Sequence, residues 1–390
     1  MNVQRIVWLA LFTLSALGTS LSAQQPQKIY GIAKEQKTTA YYQEQARLWQ
    51  KEVDKEQDNA KAWYNLFLAQ RAYLQLTATD IWPNQKTAFY ARLQPLVNEA
   101  QQAIGNSFEY YCMKGMNTDG AKAIAAFEQA HALAPDRPEV YGWLLTHYYP
   151  LFDEAKLTYL APRMLKANIY SNANLTWNYN GLQSVAPNGV FISNGDMDGI
   201  PKWVLQYGAG IRKDVLVVSK WLLADKPAYR NRIFQQLGMK PLSKTIKDFP
   251  NLSAYSDYLM AEVLKQSKRP AYVSAGTPME FFRTYNMENQ IYLVGNALHY
   301  SKQPFDNTAV IEQNMMEKYY LEYLFNNFQQ HWEDEVVKKQ MNLTYLPALM
   351  HLKKHYQANG QAAQLAYCEK LINQIAVDSG RKEEILKWFE

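Results

Sequence analysis

Two apolar, β-branched runs flank a single helical stretch in the middle of this chain, and they constrain its fold more than any other feature. The first is Gly189-Val190-Phe191-Ile192-Ser193, led by the turn residues Pro187 and Asn188. The second is Asp214-Val215-Leu216-Val217-Val218-Ser219. Runs this short, bounded by turn residues and rich in Val and Ile, read as buried strands. Between them, Asp198 is placed to cap a helix with Pro201 in its first turn and Gly208 and Gly210 at its end. Ala271-Tyr272-Val273-Ser274-Ala275 and Gln290-Ile291-Tyr292-Leu293-Val294 read as a third and a fourth strand, and residues 225–237 as a further helix. Strand, helix, strand in sequence implies crossover connections and a small parallel sheet. Residues 170–305 are therefore predicted to form an α/β domain.

The ends of the chain carry a different period. Residues 308–390 return to helical spacing. Ile311, Met315, Tyr319, Leu321, Tyr323, Leu324 and Phe328 are set on one amphipathic stretch, and residues 345–356 and 361–377 form a hairpin about Asn359-Gly360. In the N-terminal third, Ala123, Phe127, Ala130 and Pro135 have the spacing of the second helix of a tetratricopeptide repeat. The small residues let two helices approach, the ring fills the gap, and the proline ends the helix. Tyr141, Leu144 and Tyr148 follow as the next first helix, while Trp63 and Leu66, preceded by Trp49, mark a more degenerate copy. Trp63 and Tyr141 lie 78 residues apart, against ~68 for two periods. The excess is assigned to a loop at Asp80-Ile81-Trp82-Pro83-Asn84. Residues 30–165 thus resemble two to three tetratricopeptide-like units. The expected architecture is a helical-repeat array, a small parallel-sheet α/β domain and C-terminal helical hairpins.

Residues 1–23 read as a secretory signal peptide. One positive charge precedes an apolar run over residues 6–17, and the small residues Ser20, Ser22 and Ala23 precede polar Gln24 and Gln25. That run is shorter than the ~20 residues needed to span a bilayer. Cleavage after Ser22 or Ala23 predicts an exported protein, periplasmic or extracellular, that meets a membrane only through a partner.

Composition excludes several functions. The chain has 390 residues with Lys+Arg 41 and Asp+Glu 36, a net charge of +5 without clustering, which argues against nucleic-acid binding. Cys112 and Cys368 are too few for a disulfide scaffold or a multi-cysteine zinc site, and read as two buried thiols. His351 and His355 stand at i, i+4, but Leu352 occupies the place of a metalloprotease glutamate, so they read as a solvated face.

The candidate site is Asn194-Gly195-Asp196-Met197-Asp198-Gly199. It follows a strand and opens a helix, the place where α/β sheets bind ligands and where free N–H groups favour anions. Its two carboxylates also suit a divalent cation. An EF-hand is excluded because Leu205 stands where the bidentate glutamate belongs. Lys220 after the second strand and Thr277 after the third are expected to converge on Asn194, Gly195, Asp196 and Asp198. A structural alternative stands beside this: Asp196 ties the turn and Asp198 caps the helix.

The segment 190–223 resembles a soluble segment of a family of bacterial multi-pass membrane proteins, itself similar to protein O-mannosyltransferases. The matching residues are Asn194, Gly195, Asp196, Asp198, Pro201, Trp203, Leu205, Gln206, Gly210, Arg212, Asp214, Val215, Leu222 and Leu223. Residues 269–273 and 292–303 resemble later parts of the same region. The chain departs at Met197, where the family has Asn, and at Gly199, where it has Thr. The resemblance implies a related soluble domain without the transferase chemistry, which belongs to the family's membrane part.

No nucleophile–base pair is recognisable. An interaction role therefore ranks first: a scaffold of the cell envelope whose repeats hold a protein or peptide, accessory to surface glycosylation or export. No cofactor is expected in that role. The competing reading is a small-ligand or metal-binding domain, or an enzyme on a glycan or phosphorylated substrate, using Asp196 and Asp198.

Overall fold

A computed structural model describes residues 25–32, 35–78, 85–326 and 331–387. The signal-peptide reading, the loop at residues 80–84 and Phe328 lie outside the described residues. Seven helices open the described chain: α1 (Thr39–Lys55), α2 (Ala60–Thr77), α3 (Lys86–Ile104), α4 (Phe108–Met116), α5 (Gly120–Leu133), α6 (Tyr141–Tyr148) and α7 (Glu154–Lys166). Local chemistry explains where they start. Thr38, Asn59, Ser107 and Asp153 each accept a backbone N–H of the first turn through the side chain. The segment before α1 is docked on α1 and α2: Gln27 N donates to Gln45 Oε1 at 2.7 Å, and the buried Ile29 donates its N–H to Asn65 Oδ1 of α2 at 2.8 Å.

Phe127 is fully buried where α5 crosses α4. A Cβ on Gly115 would lie 2.6 Å from the Phe127 ring, so only glycine permits this approach. Trp143 of α6 stacks on the same ring, with centroids 5.5 Å apart.

Next come α8 (Asn172–Gln183), β1 (Val190–Ser193), α9 (Asp196–Ala209), β2 (Leu216–Ser219), α10 (Lys220–Asp225), α11 (Pro227–Gln236), α12 (Leu252–Gln266), β3 (Ala271–Ser274), α13 (Met279–Thr284), β4 (Ile291–Leu293) and β5 (Ala297–Tyr300). The sheet order is β2-β1-β3-β5-β4. β1 runs parallel to β2 and β3, with Phe191 opposite Val217 and Tyr272. β5 is antiparallel to both β3 and β4. The parallel-sheet expectation is thus corrected to a mixed sheet. The fourth expected strand is real but sits at the far edge, as half of a hairpin whose Gly295 takes φ 107°. At the other edge, the Tyr149 hydroxyl donates to Val217 O of β2.

The helix after β1 starts earlier than expected, at Asp196 with Gly195 as N-cap. It ends at Gly210, which takes φ 72°. Gly208 does not end it; a Cβ there would sit 2.8 Å from Leu165 Cδ1, so Gly208 allows α9 to lie against α7.

The expected long helix after residue 308 is also corrected. It comprises α14 (Thr308–Gln313), a π-helical turn (Asn314–Lys318) and a 3-10 turn (Glu322–Leu324). Tyr319 between the last two is extended. Then follow α15 (Asp334–Lys339), α16 (Leu346–Ala358), α17 (Ala362–Asp378) and α18 (Lys382–Lys387), with α16 and α17 the expected hairpin. One buried apolar cluster runs from Ile29 through the helical array and the sheet to Tyr300. A second joins Trp177 to the C-terminal helices. Cys112 and Cys368 are free and buried in separate clusters.

Candidate functional site

The turn after β1 is built from the chain's own hydrogen bonds. Asp198, the third residue of α9, accepts the N–H of Asn194 on Oδ2 at 3.1 Å and so closes the turn. Gly199 is dictated by its neighbour, because a Cβ there would lie 2.8 Å from Ser193 Oγ. Pro201 has no N–H to give Met197 O, its helical partner four residues back. The side-chain amide of Asn178 on α8 takes that place at 3.0 Å.

The other oxygen of Asp198 meets Lys202. Lys202 is fully buried, and its Nζ lies 2.6 Å from Asp198 Oδ1, 2.9 Å from Asp198 O and 2.8 Å from Asn178 Oδ1. The rings of Phe191 and Trp177 lie 4.3 Å and 5.0 Å from that ammonium. Burial pushes the Lys202 ammonium below its usual range, and Asp198 opposes that push. Gly181 makes room for it, since a Cβ there would stand 3.2 Å from Lys202 Cε. The network continues along α8. Asn178 donates to Asn174 Oδ1 at 2.6 Å, and Asn174 donates to Glu333 Oε2 at 3.2 Å. That oxygen also accepts the Ser171 N–H at 2.7 Å.

Of the expected site residues, some converge and some do not. Asn194 Nδ2 donates to Thr277 Oγ1 at 2.9 Å, tying the β1 turn to the β3 turn. Asn194 O accepts the Trp221 indole N–H at 2.8 Å. Lys220 turns away to Asp257, 3.0 Å off. Gly195 has open space where a Cβ would point. Asp196 alone of the two turn carboxylates faces solvent, yet desolvation by the surrounding protein raises its carboxyl above the usual range. The shared cation expected between Asp196 and Asp198 meets an obstacle here. Both Asp198 oxygens are engaged, and a metal would have to displace a buried ammonium. Among the described residues, no group of three or more His, Cys, Asp or Glu side chains is placed to hold a metal ion.

No protein-family model matches this chain, and no curated protein matches it significantly. The geometry therefore carries the functional reading alone. Sequence reasoning missed Lys202, Asn178, Asn174, Trp221 and Glu333. Signals existed for three of them: Lys202 stands four residues after Asp198 on the same helix face, and Asn174 and Asn178 are spaced i, i+4 on one helix; nothing local pointed to Trp221 or Glu333.

The array presents a different surface. Leu133, Trp143, Leu151 and Tyr159 are large apolar side chains left exposed on and between α5, α6 and α7. The Arg163 guanidinium stacks 3.6 Å from the Tyr159 ring centroid, and His131 Nε2 lies 3.2 Å from the Tyr159 hydroxyl. No helix among the described residues is long and apolar enough to cross a membrane.

Proposed function

We propose that this chain is an exported interaction protein of the bacterial cell envelope. Its helical array holds a protein or peptide partner, in the service of surface glycosylation or export. The carrying observation is that Leu133, Trp143 and Tyr159 on three consecutive helices, and Leu151 in the turn between the last two, are all left exposed. Trp, Tyr and Arg dominate the energetics of protein interfaces, and stacked Arg163 and Tyr159 are held ready for such a contact. The turn offers less, because Asp198 and Lys220 are neutralised within the chain. Tyr159→Ala is expected to release a partner that co-purifies with the wild-type protein from envelope extracts, with the melting temperature unchanged. Equal recovery with both proteins would count against the array as the binding surface.

A second reading rests on Asp196, which is open to solvent beside Gly195 and the Asn194–Thr277 bridge. In that reading a small polar ligand or divalent cation binds at the strand ends. A calorimetric screen against Ca²⁺, Mg²⁺, Mn²⁺, Zn²⁺ and sugar phosphates separates the two. Stabilisation in wild type that vanishes in Asp196→Asn supports the second reading, and silence across the panel removes it.

A further inference from the structure

We infer that the face formed by α12 and the segment leading into it docks directly on an anionic lipid surface. The net positive charge that reads as unclustered along the chain is carried by one stretch. Residues 230–269 hold eight Lys and Arg against three Asp and Glu, and that surplus equals the +5 of the whole chain. The three acids are occupied locally. Asp248 accepts the N–H and the hydroxyl of Thr245 at 2.7 Å and 3.1 Å, Asp257 pairs with Lys220, and Glu262 accepts the Gln266 amide. Lys240, Lys244, Lys247 and Lys268 are exposed, and none of them has an ion-pair partner among the described residues.

Packing gathers these four lysines on one side. Tyr258 and Gln266 lie on the side of α12 away from its buried Leu259, Met260 and Val263. The segment 238–250 crosses that side. Lys240 N donates to Gln266 Oε1 at 3.3 Å, and Lys244 Nζ stands 5.7 Å from the Tyr258 ring centroid. The stem of Lys268 lies on Gly238, where a Cβ would be 2.7 Å from Lys268 Cδ. Arg230 and Arg232 of the same stretch are used inside the fold: Arg230 donates to Leu223 O at 2.9 Å, and Arg232 lies 3.9 Å from the Phe152 ring centroid.

The same segment carries an apolar tip. Ile246 is 42% exposed and stands between Lys244 and Lys247. A 3-10 turn (Ile246–Asp248) fixes it, closed by reciprocal hydrogen bonds between Thr245 and Asp248. Pro241 and Pro250 stiffen the chain on either side. An isoleucine held out between lysines matches a bilayer interface. The apolar side chain enters at the acyl boundary, and the ammonium groups stay among the headgroup phosphates. Lysine stems suit that position, since they cover apolar surface while the head stays in the polar layer. A protein interface fits this face less well, because lysine is depleted there, and a nucleic acid would leave Ile246 in water. The face uses no residue of the helical array, so a partner on the array leaves it open.

The test is vesicle co-sedimentation of the full chain at low and high salt. One set of vesicles is phosphatidylcholine alone, and the other mixes it equally with phosphatidylglycerol. A duplex oligonucleotide and polyglutamate serve as soluble polyanions. Binding is expected to be stronger on the mixed vesicles, with that gain fading at high salt. Lys240→Gln and Lys247→Gln should each weaken binding to the mixed vesicles about fivefold, the scale of one cation at an anionic surface, with the melting temperature unchanged. Ile246→Ser should weaken it at both salt levels, because it removes apolar contact rather than charge. The apolar residues 6–17 carry no charge and are common to all variants, so they do not enter these differences. No gain on the mixed vesicles, or a gain left intact in both lysine variants, would overturn the assignment. Wild-type binding by Ile246→Ser, or a soluble polyanion bound as tightly as the mixed vesicles, would make the face a general polyanion site and overturn the lipid contact.

Discussion

Lys202 and Asp198 show how one buried pair organises a turn. The ammonium has no access to water, and its charge is met by one carboxylate, one carbonyl and one amide oxygen. Removing one partner of a buried pair leaves the other charge uncompensated, which costs ~3–5 kcal/mol. Asp198→Asn should destabilise the protein by that amount in urea titrations, and adding Lys202→Met should recover most of the loss. A double variant no more stable than Asp198→Asn would mean that the pair is not the source of the cost. Arg212 and Asp214 act at the opposite end of α9. Arg212 Nε and Nη2 reach the two Asp214 oxygens at 2.8 Å and 2.9 Å, and its Nη1 caps Leu182 O of α8 at 2.9 Å. Hydrogen bonding to Arg212 lowers the Asp214 carboxyl from 3.8 to about 2. The folded state thus holds this proton less tightly than the unfolded chain does. The resulting stability is present above 3.8 and is lost as pH falls toward about 2. Asp214→Asn should be less stable than wild type at neutral pH, with the gap closing across that window. A gap constant from pH 5 to 2 would contradict the assignment.

At the scale of elements, the crossing of α4 and α5 depends on one ring and one missing methyl. Phe127→Ala should cost ~3–5 kcal/mol, as deletion of a buried aromatic does. Gly115→Ala should cost ~1–3 kcal/mol by overpacking. The double variant should cost less than the sum, because the methyl then enters the space the ring has left. Strict additivity in thermal melts would show that the two do not touch. The Ala123–Phe127–Ala130 spacing made this crossing legible, because steric fit between helices is written in local residue sizes. The strands β1, β2 and β3 were legible for a similar reason, as apolar runs between turn residues. β5 was not: Ala297-Leu298-His299-Tyr300 alternates too briefly, and only pairing with β3 and β4 makes it a strand. The π-helical turn also escaped, because the helical period continues through it. In the site, the place of the turn could be read, but not the direction of its side chains. Whether Asp198 faces water or Lys202 depends on Gly181 and Phe191, which other elements bring to it.

For the whole molecule, two buried clusters meet along α8, whose Asn174, Asn178 and Asn180 are all fully buried. Asn180 Nδ2 donates to the Tyr345 hydroxyl at 2.9 Å, and the Trp177 indole donates to Met341 O at 3.0 Å. The C-terminal helices are thus joined to the sheet through specific hydrogen bonds. The chain before α1 is likewise anchored from Gln27 onward, by Gln45, Asn65 and the Trp49 indole, which donates to Gln27 O at 2.8 Å. Removal of the proposed leader would leave that anchor intact. N-terminal sequencing of protein recovered from the envelope should begin near Ala23 or Gln24, and an intact Met1 would refute export by cleavage. In the proposed function the array, not the strand-end turn, meets the partner. Site-specific photo-cross-linking in intact cells tests it most directly, with the reactive residue placed in turn at position 159 and at position 196. One discrete adduct is expected from position 159 and none from position 196. An adduct from position 196 with silence at position 159 would contradict it.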